Sequence, residues 1–367
     1  MIMIKFETDN LEKVRKAVNV CTMCGFCKSV CPSFKEVGWD MDSSRGRITL
    51  IYGLLNGDID ADPSVIRSIY TCTTCADCVR RCPSKVDVVD IIETARADLV
   101  KNDHMLDKHK SLCDNAVELG NPYGEKISVQ EAVGVERKKA KVGYYVGCTA
   151  AHRLKEISSA TISVLKKLDT DFTVVDEVCC GSVLQRIGYD QEYITTMFQR
   201  NVDAIKELGV ETVVLSCAGC YRMFKVEYPN YVDVPFEVLH ITEYLARMDL
   251  DLKPMDNIKA TYHDPCHLGR HCGLYDAPRE IIAKIPGMEF IEMEYTKDKS
   301  HCCGGGGGVR SAFPEESLGI ASTRLDEAED VDMIISTCPF CVSNLVAGKG
   351  DRDIEVVDLI ELVDKLL

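Results

Sequence analysis

Apolar residues recur along this chain with two different periods. In the first hundred residues they follow helical spacing, over Leu11–Val20, Ile48–Leu55 and Val88–Val100. Asp42-Ser43-Ser44-Arg45-Gly46-Arg47 stands before the second of these, so Ser43 or Ser44 reads as its N-cap, and Asn56-Gly57 closes it. Arg45 and Arg47 read as solvated charges at the helix start. From Lys141 onward the pattern changes to short β-branched runs that alternate with amphipathic stretches. Lys141–Val146, Phe172–Val175 and Thr212–Leu215 predict strands, with a helix over Ile157–Leu168; Ala260–Tyr262, Phe290–Met293 and Met333–Ile335 predict strands in the same order again. Strands alternating with helices predict parallel sheets covered on both faces. Residues 101–141, with a helical pattern around Cys113 and with Asn121-Pro122-Tyr123-Gly124 and Glu136-Arg137-Lys138-Lys139, read as a linker region packed on the surface. The expected class is α/β: a helix-rich domain over 1–105, a linker over 106–140, and two small lobes over 141–255 and 256–367.

Composition narrows the chemistry. With 367 residues, 46% hydrophobic, the chain is long enough for several real cores, so its 20 cysteines do not describe a disulfide scaffold, which staples chains too short to bury one. Metal ligation fits them better. A formal net charge of −15 argues against nucleic acid as a partner. No charged-then-apolar leader occupies residues 1–11 and no run of 18 apolar residues occurs, so a cytoplasmic location is expected, with any membrane contact made through a partner subunit.

Cysteine spacing supplies the sharpest signal. Cys21, Cys24, Cys27 and Cys31-Pro32 form a run that returns at Cys72, Cys75, Cys78 and Cys82-Pro83. This is the bacterial two-cluster ferredoxin pattern, in which the fourth cysteine of each run reaches across to the other cluster. Cys21, Cys24, Cys27 and Cys82 are expected to hold one cubane 4Fe-4S cluster, and Cys72, Cys75, Cys78 and Cys31 the other. Zinc knuckles would use paired cysteines and would not need Cys-Pro after a triplet. Downstream, Cys148, Cys179-Cys180-Gly181 and Cys217-x-x-Cys220 are repeated as Cys266, Cys302-Cys303-Gly304 and Cys338-x-x-Cys341 at offsets of 118 to 123 residues, an internal duplication with two equivalent metal sites. Most of these cysteines follow predicted strands, where parallel sheets place their binding crevice. Five thiolates exceed what a cubane needs, which suggests an opened cluster bridged by a thiolate. Gly304–Gly308 permits close approach by a cluster or substrate; as a nucleotide loop it lacks the Lys-Ser/Thr of a P-loop.

At these residues the sequence resembles the heterodisulfide reductase family, in the fused form that joins a two-cluster ferredoxin domain to two cysteine-rich "CCG" domains. His263-Asp264-Pro265-Cys266-His267-Leu268-Gly269-Arg270, the Cys302 run through Val309-Arg310 and Thr337-Cys338-Pro339-Phe340-Cys341 carry the likeness. The resemblance implies two noncubane 4Fe-4S clusters facing each other across a small disulfide, the coenzyme M–coenzyme B heterodisulfide, which two electrons split into two thiols. It assigns Cys148, Cys179, Cys180, Cys217 and Cys220 to one cluster and Cys266, Cys302, Cys303, Cys338 and Cys341 to the other. It also implies an electron-donor subunit, either a membrane cytochrome or a flavoprotein. Ser43-Ser44-Arg45-Gly46-Arg47-Ile48 is similar to iron-sulfur subunits of glycolate and lactate oxidases and of anaerobic glycerol-3-phosphate dehydrogenase, and this leaves a pure electron relay as the alternative. Both Cys-x-x-Cys pairs are intact, which favours disulfide chemistry. An anionic substrate would need cations against the net charge, and Arg270 and Arg310, with Arg153 and Arg186 in the first lobe, are the candidates. His152, His263, His267 and His301 adjoin ligand motifs and are expected to hydrogen-bond cluster sulfurs or to deliver protons. Cys113 reads as a buried small hydrophobe and Cys272 as structural.

Overall fold

The computed structural model describes residues 6–255 and 257–367. The first third is helical: Asp9–Val20, Ser44–Asn56, Pro63–Tyr70 and Val88–Lys101 surround an apolar centre that includes Leu11, Ile51, Ile69, Ile92 and Leu99. Ser43 caps the second helix, its Oγ accepting from the Gly46 N–H at 3.0 Å, and Gly57 ends it in the left-handed region at φ 72°. Gly46 admits no side chain, because a Cβ there would stand 2.0 Å from the Asp40 carbonyl oxygen. Arg47 departs from the sequence reading. It is 1% exposed, turned inward from the helix start rather than solvated.

Residues 106–140 also depart from it. They contain the helices Asp107–Leu119 and Val129–Val133, and His109, Cys113 and Ala116 are buried in the first of these. Three small or polar residues make a stripe too narrow to register as an apolar face, yet it lies along the core beside Tyr70, whose ring meets His109 edge-on at 4.8 Å. The segment therefore packs as part of the body.

Two four-stranded sheets follow, both wholly parallel. β1 (Val142–Tyr145), β2 (Phe172–Val174), β3 (Thr212–Leu215) and β4 (Glu237–His240) lie in the order β2-β1-β3-β4; β5 (Lys259–Tyr262), β6 (Glu289–Phe290), β7 (Met333–Ser336) and β8 (Glu355–Asp358) lie as β6-β5-β7-β8. Register confirms the duplication, with Val142 and Val213 paired to Thr212 and Val238, and Ala260 and Ile334 to Met333 and Val356. Buried Tyr144 shares its hydroxyl with Ser216 at 2.9 Å and buried Tyr262 with Thr337 at 2.7 Å, the same solution at the same place in each sheet. β4 and β8 were not foreseen. Each is four residues long and leads straight into a capping box, at His240 and Asp358. The lobes bury Ile157, Leu165, Leu362 and Val363 where helix Lys155–Lys167 meets Leu359–Leu366. Among the described residues no helix is long and apolar enough to cross a membrane.

Candidate iron-sulfur sites

Backbone conformation brings the ferredoxin-type cysteines together. In both runs the chain turns through left-handed residues around the second cysteine: Met23 (φ 54°) and Gly25 (82°) in the first, Thr74 (53°) and Ala76 (62°) in the second. The first turn opens a cleft of about 400 Å³ lined by Cys21, Cys24, Cys27 and Cys82, with Cys78 and Arg45 also on its wall. Its lining holds five thiols from both runs and, among the described residues, no carboxylate, a donor set suited to thiolate-held iron. Burial pushes the Cys27 thiol up to about 11, so without metal that thiol stays protonated at neutral pH. Cys24 stands at the solvent edge.

The second group lies deeper. Cys31, Cys75 and Cys78 are buried, and Cys72 adjoins them. Arg47 points its Nη1 at Cys31 Sγ (3.7 Å) and is held by the Ser68 carbonyl (2.6 Å) and Thr71 Oγ1 (2.9 Å). Hydrogen bonding to Cys302 and burial together push the Cys75 thiol well up.

In each lobe the five cysteines sit at the carboxyl end of the sheet. Cys148 follows β1 and Cys217 follows β3, the adjacent strands between which the chain reverses direction across the sheet, and Cys266 and Cys338 occupy the same places after β5 and β7. Gly147 allows the first of these turns, since at φ 79° a Cβ would approach Cys220 Sγ to 3.1 Å. Within the first lobe Cys148 contacts Cys179, Cys179 contacts Cys180, Cys180 contacts Cys220 and Cys220 contacts Cys217. Cys217 then contacts Cys338 of the second lobe, where Cys338, Cys341, Cys303 and Cys302 continue the row, with Cys303 and Cys341 at 3.3 Å. Cys302 touches both Cys266 and Cys75. The thiols thus run without a break from the first lobe, through the second, into the deeper ferredoxin group.

Two histidines face this row. A ring nitrogen of His263 lies within 4.8 Å of Cys303 and Cys341 Sγ. His263 Nδ1 accepts from Arg324 Nε at 3.2 Å; a guanidinium only donates, so the proton of the neutral ring sits on Nε2, which makes no hydrogen bond among the described residues. That nitrogen is a donor toward sulfur and offers no lone pair to a metal. His267 is held by Arg222 Nη1 at 3.4 Å, and its Nδ1 lies 3.9 Å from where a Cβ on Gly219 would stand, beside Cys217. Burial and the charge of Arg222 keep His267 well below its usual range, so it is neutral. His301 pairs with Glu327, and burial lowers His152.

The expected substrate cations are mostly engaged elsewhere. Arg186 is buried between Glu93 of the ferredoxin part and Glu227 of the first lobe, and Arg222 also reaches Glu227 at 2.9 Å. Arg153 pairs with Glu125 and stacks on Tyr123 at the surface. Arg270 donates to the carbonyls of Cys75 (2.7 Å), Asp298 (3.3 Å) and Ser300, while its second terminal nitrogen is buried beside the thiols without a partner among the described residues. Arg310 is half-buried. Cys113 is 0% exposed, and burial pushes the thiols of Cys113 and Cys272 up to about 12.

Sequence reasoning missed the partner of the glycine run. A Cβ on Gly306, Gly307 or Gly308 would meet the Thr73 carbonyl at 2.8 Å, the Cys72 carbonyl at 2.4 Å or His109 Nε2 at 2.7 Å. The run lets the second lobe lie directly on the deeper ferredoxin loop. It also missed Arg96, a buried arginine whose only signal was a charge inside an apolar helical pattern.

Comparison with known proteins agrees with this layout. Residues 17–86 match the family described as 4Fe-4S dicluster domain, and residues 142–225 and 260–346 each match the Cysteine-rich domain family, CCG. The chain is 35% identical to a subunit of the dihydromethanophenazine:CoB–CoM heterodisulfide reductase of Methanosarcina mazei, over 98% of this chain and 97% of that protein. It is 34% identical to a subunit of the fumarate reductase (CoM/CoB) of Methanothermobacter marburgensis, over 95% of this chain and 72% of the relative. A hypothetical protein from Helicobacter pylori shares the fold, with a TM-score of 0.61 at 10% identity over 98% of this chain and 72% of that one.

Proposed function

Since the chain belongs to the heterodisulfide reductase family, in its fused ferredoxin-plus-CCG form, and is an iron-sulfur oxidoreductase component, we propose that it reduces the coenzyme M–coenzyme B heterodisulfide between its two five-cysteine sets. In this reading residues 1–105 carry two cubane clusters, and the lobes over 141–255 and 256–367 carry one noncubane cluster each. The observation that supports it is the unbroken thiol row, which places the deeper ferredoxin group against Cys302 and the second set against the first. Electrons from a donor subunit, a membrane cytochrome or a flavoprotein, enter at the outer cleft, where Cys24 is exposed and Phe26 and Trp39 stand out at 56% and 69% exposure. When bound, the clusters supply the two electrons and soft iron sites for sulfur.

The reaction breaks one S–S bond, takes up two electrons and two protons, and yields two thiols. His263 offers Nε2–H toward the second set and His267 offers Nδ1–H toward the first, their tautomers fixed by Arg324 and Arg222. Both rings are neutral donors, so their part is to hydrogen-bond thiolate sulfur as charge develops; the two protons come from water. The free Nη2 of Arg270 is the cation best placed near the thiols for an anionic substituent.

The test is anaerobic oxidation of a reduced viologen by the iron-loaded protein with and without the mixed disulfide. Oxidation that depends on the disulfide is expected. A fully loaded protein that accepts electrons yet leaves the disulfide intact would overturn this reading in favour of a relay to a partner protein.

A further inference from the structure

Arg96, on helix Val88–Lys101, is 0% exposed and spends all of its donors on main-chain carbonyls. Nε reaches Ile69 O at 3.3 Å; Nη1 reaches Arg186 O at 2.6 Å and Gly307 O at 2.9 Å; Nη2 reaches Ile69 O at 2.9 Å, Tyr70 O at 3.1 Å and Cys72 O at 2.7 Å. Those carbonyls belong to three parts of the chain: the loop of the deeper ferredoxin group, the first lobe just past Cys179-Cys180, and the glycine run past Cys302-Cys303. Among the described residues no carboxylate forms an ion pair with Arg96. Glu93, one turn earlier, is taken by Arg186, and Arg47 on the other side of the group shares Thr71 with Asp42, whose Oδ1 lies 3.2 Å from Thr71 Oγ1.

A buried guanidinium without a counter-ion is costly, and carbonyl dipoles satisfy its hydrogens without cancelling its charge. Cys72, whose carbonyl Arg96 Nη2 holds at 2.7 Å, would carry a negative charge beside it when iron-bound, since a coordinating thiol is deprotonated outright. We infer that Arg96 is a positioning residue whose charge is balanced by the deeper cubane, raising that cluster's reduction potential above the outer one's and tying its loading to the docking of both lobes. This rests on the assignment of Cys72 as a cluster ligand. The physical reason is direct: reduction adds negative charge, and a desolvated cation beside the cluster favours the reduced form. Among the described residues the outer cleft has no such desolvated cation. Its Arg45 is paired with Asp40 at 2.5 Å and is partly solvated. The resulting gradient runs inward, toward Cys302.

The experiment is a redox titration of the cubane signals by electron paramagnetic resonance, with iron content, for the full-length wild type, R96Q and R96K. R96Q is expected to shift one cubane midpoint to more negative potential and leave the other in place, while R96K keeps both near wild type. A loaded R96Q with both midpoints unchanged would overturn the inference. If R96Q does not load, R96K decides: full iron with the wild-type midpoint upholds the role of charge, and a shifted midpoint or failed loading overturns it. A wild type without two titratable cubanes would instead overturn the cluster assignment and this inference with it.

Discussion

Replacing Arg186 with Met separates a structural cation from a substrate cation. The guanidinium side chain is 2% exposed, and its two carboxylate partners, Glu93 and Glu227, are 14% and 12% exposed. Removing one member of a buried pair typically costs ~3–5 kcal/mol, because the remaining charge is stranded. Here Glu227 keeps Arg222 at 2.9 Å, so the stranded group is Glu93, and the lower end, about 3 kcal/mol, is the expected loss. For a domain of this size that lowers the apparent midpoint of the first unfolding transition by roughly 5–10 °C in anaerobic thermal melts. The apparent affinity for the disulfide should be unchanged, since the Arg186 guanidinium is committed to Glu93 and Glu227. Adding Glu93→Gln removes the stranded charge and should recover about 1–2 kcal/mol. An Arg186→Met protein as stable as wild type but with weakened substrate binding would refute the reasoning and return Arg186 to the pocket.

Three further outcomes are expected. Anaerobically purified protein should contain about sixteen iron atoms per chain, from four sites of four; elemental analysis that finds about eight would remove clusters from the lobes. Cys303→Ala or Cys180→Ala should abolish disulfide turnover while both cubane signals persist, and loss of a cubane signal in Cys180→Ala, whose thiol contacts Cys179 and Cys220 of its own lobe, would show that the sites do not load independently. Gly307→Ala forces a Cβ to 2.4 Å from the Cys72 carbonyl at φ 63°, so it should destabilise the protein by roughly 2–4 kcal/mol and slow reduction of the lobe clusters relative to the cubanes in stopped-flow spectroscopy.

What the sequence disclosed is what is local. The two ferredoxin-type runs, the Cys-Cys-Gly and Cys-x-x-Cys pieces of the repeated set and six of the eight strands are each written in fewer than a dozen neighbouring residues, where spacing alone carries the meaning. What it hid is what depends on a partner far along the chain. Arg186 looked like a pocket cation because it follows Cys180 closely, but its environment is set by Glu93, 93 residues earlier. The helix Asp107–Leu119 shows only His109, Cys113 and Ala116 to the core, a stripe that becomes apolar surface only when Tyr70 and Val178 are brought against it. Gly306–Gly308 promised a close approach without saying of what, and Arg96 showed only as a charge inside an apolar helical pattern.

Gly307 and Arg96 answer one physical problem from opposite sides. Electrons pass between centres at rates that fall steeply with separation, so a lobe must sit on the ferredoxin loop with as little intervening matter as the backbone allows. Glycine removes the side chains, and Gly307 rests on the Cys72 carbonyl where any Cβ would collide. But two backbones pressed together bring carbonyl oxygens face to face with no N–H between them, an arrangement that repels and leaves acceptors unsatisfied. A planar donor fork inserted from the side resolves it: Arg96 bridges Cys72 O and Gly307 O at 2.7 and 2.9 Å and reaches the Arg186 carbonyl of the other lobe as well. Lysine has the charge without the fork, and glutamine has a donor without the charge. The fork lets arginine bridge the two backbones at once, and its charge, once buried, calls for an anion as close as Cys72, the part of its role that lysine keeps.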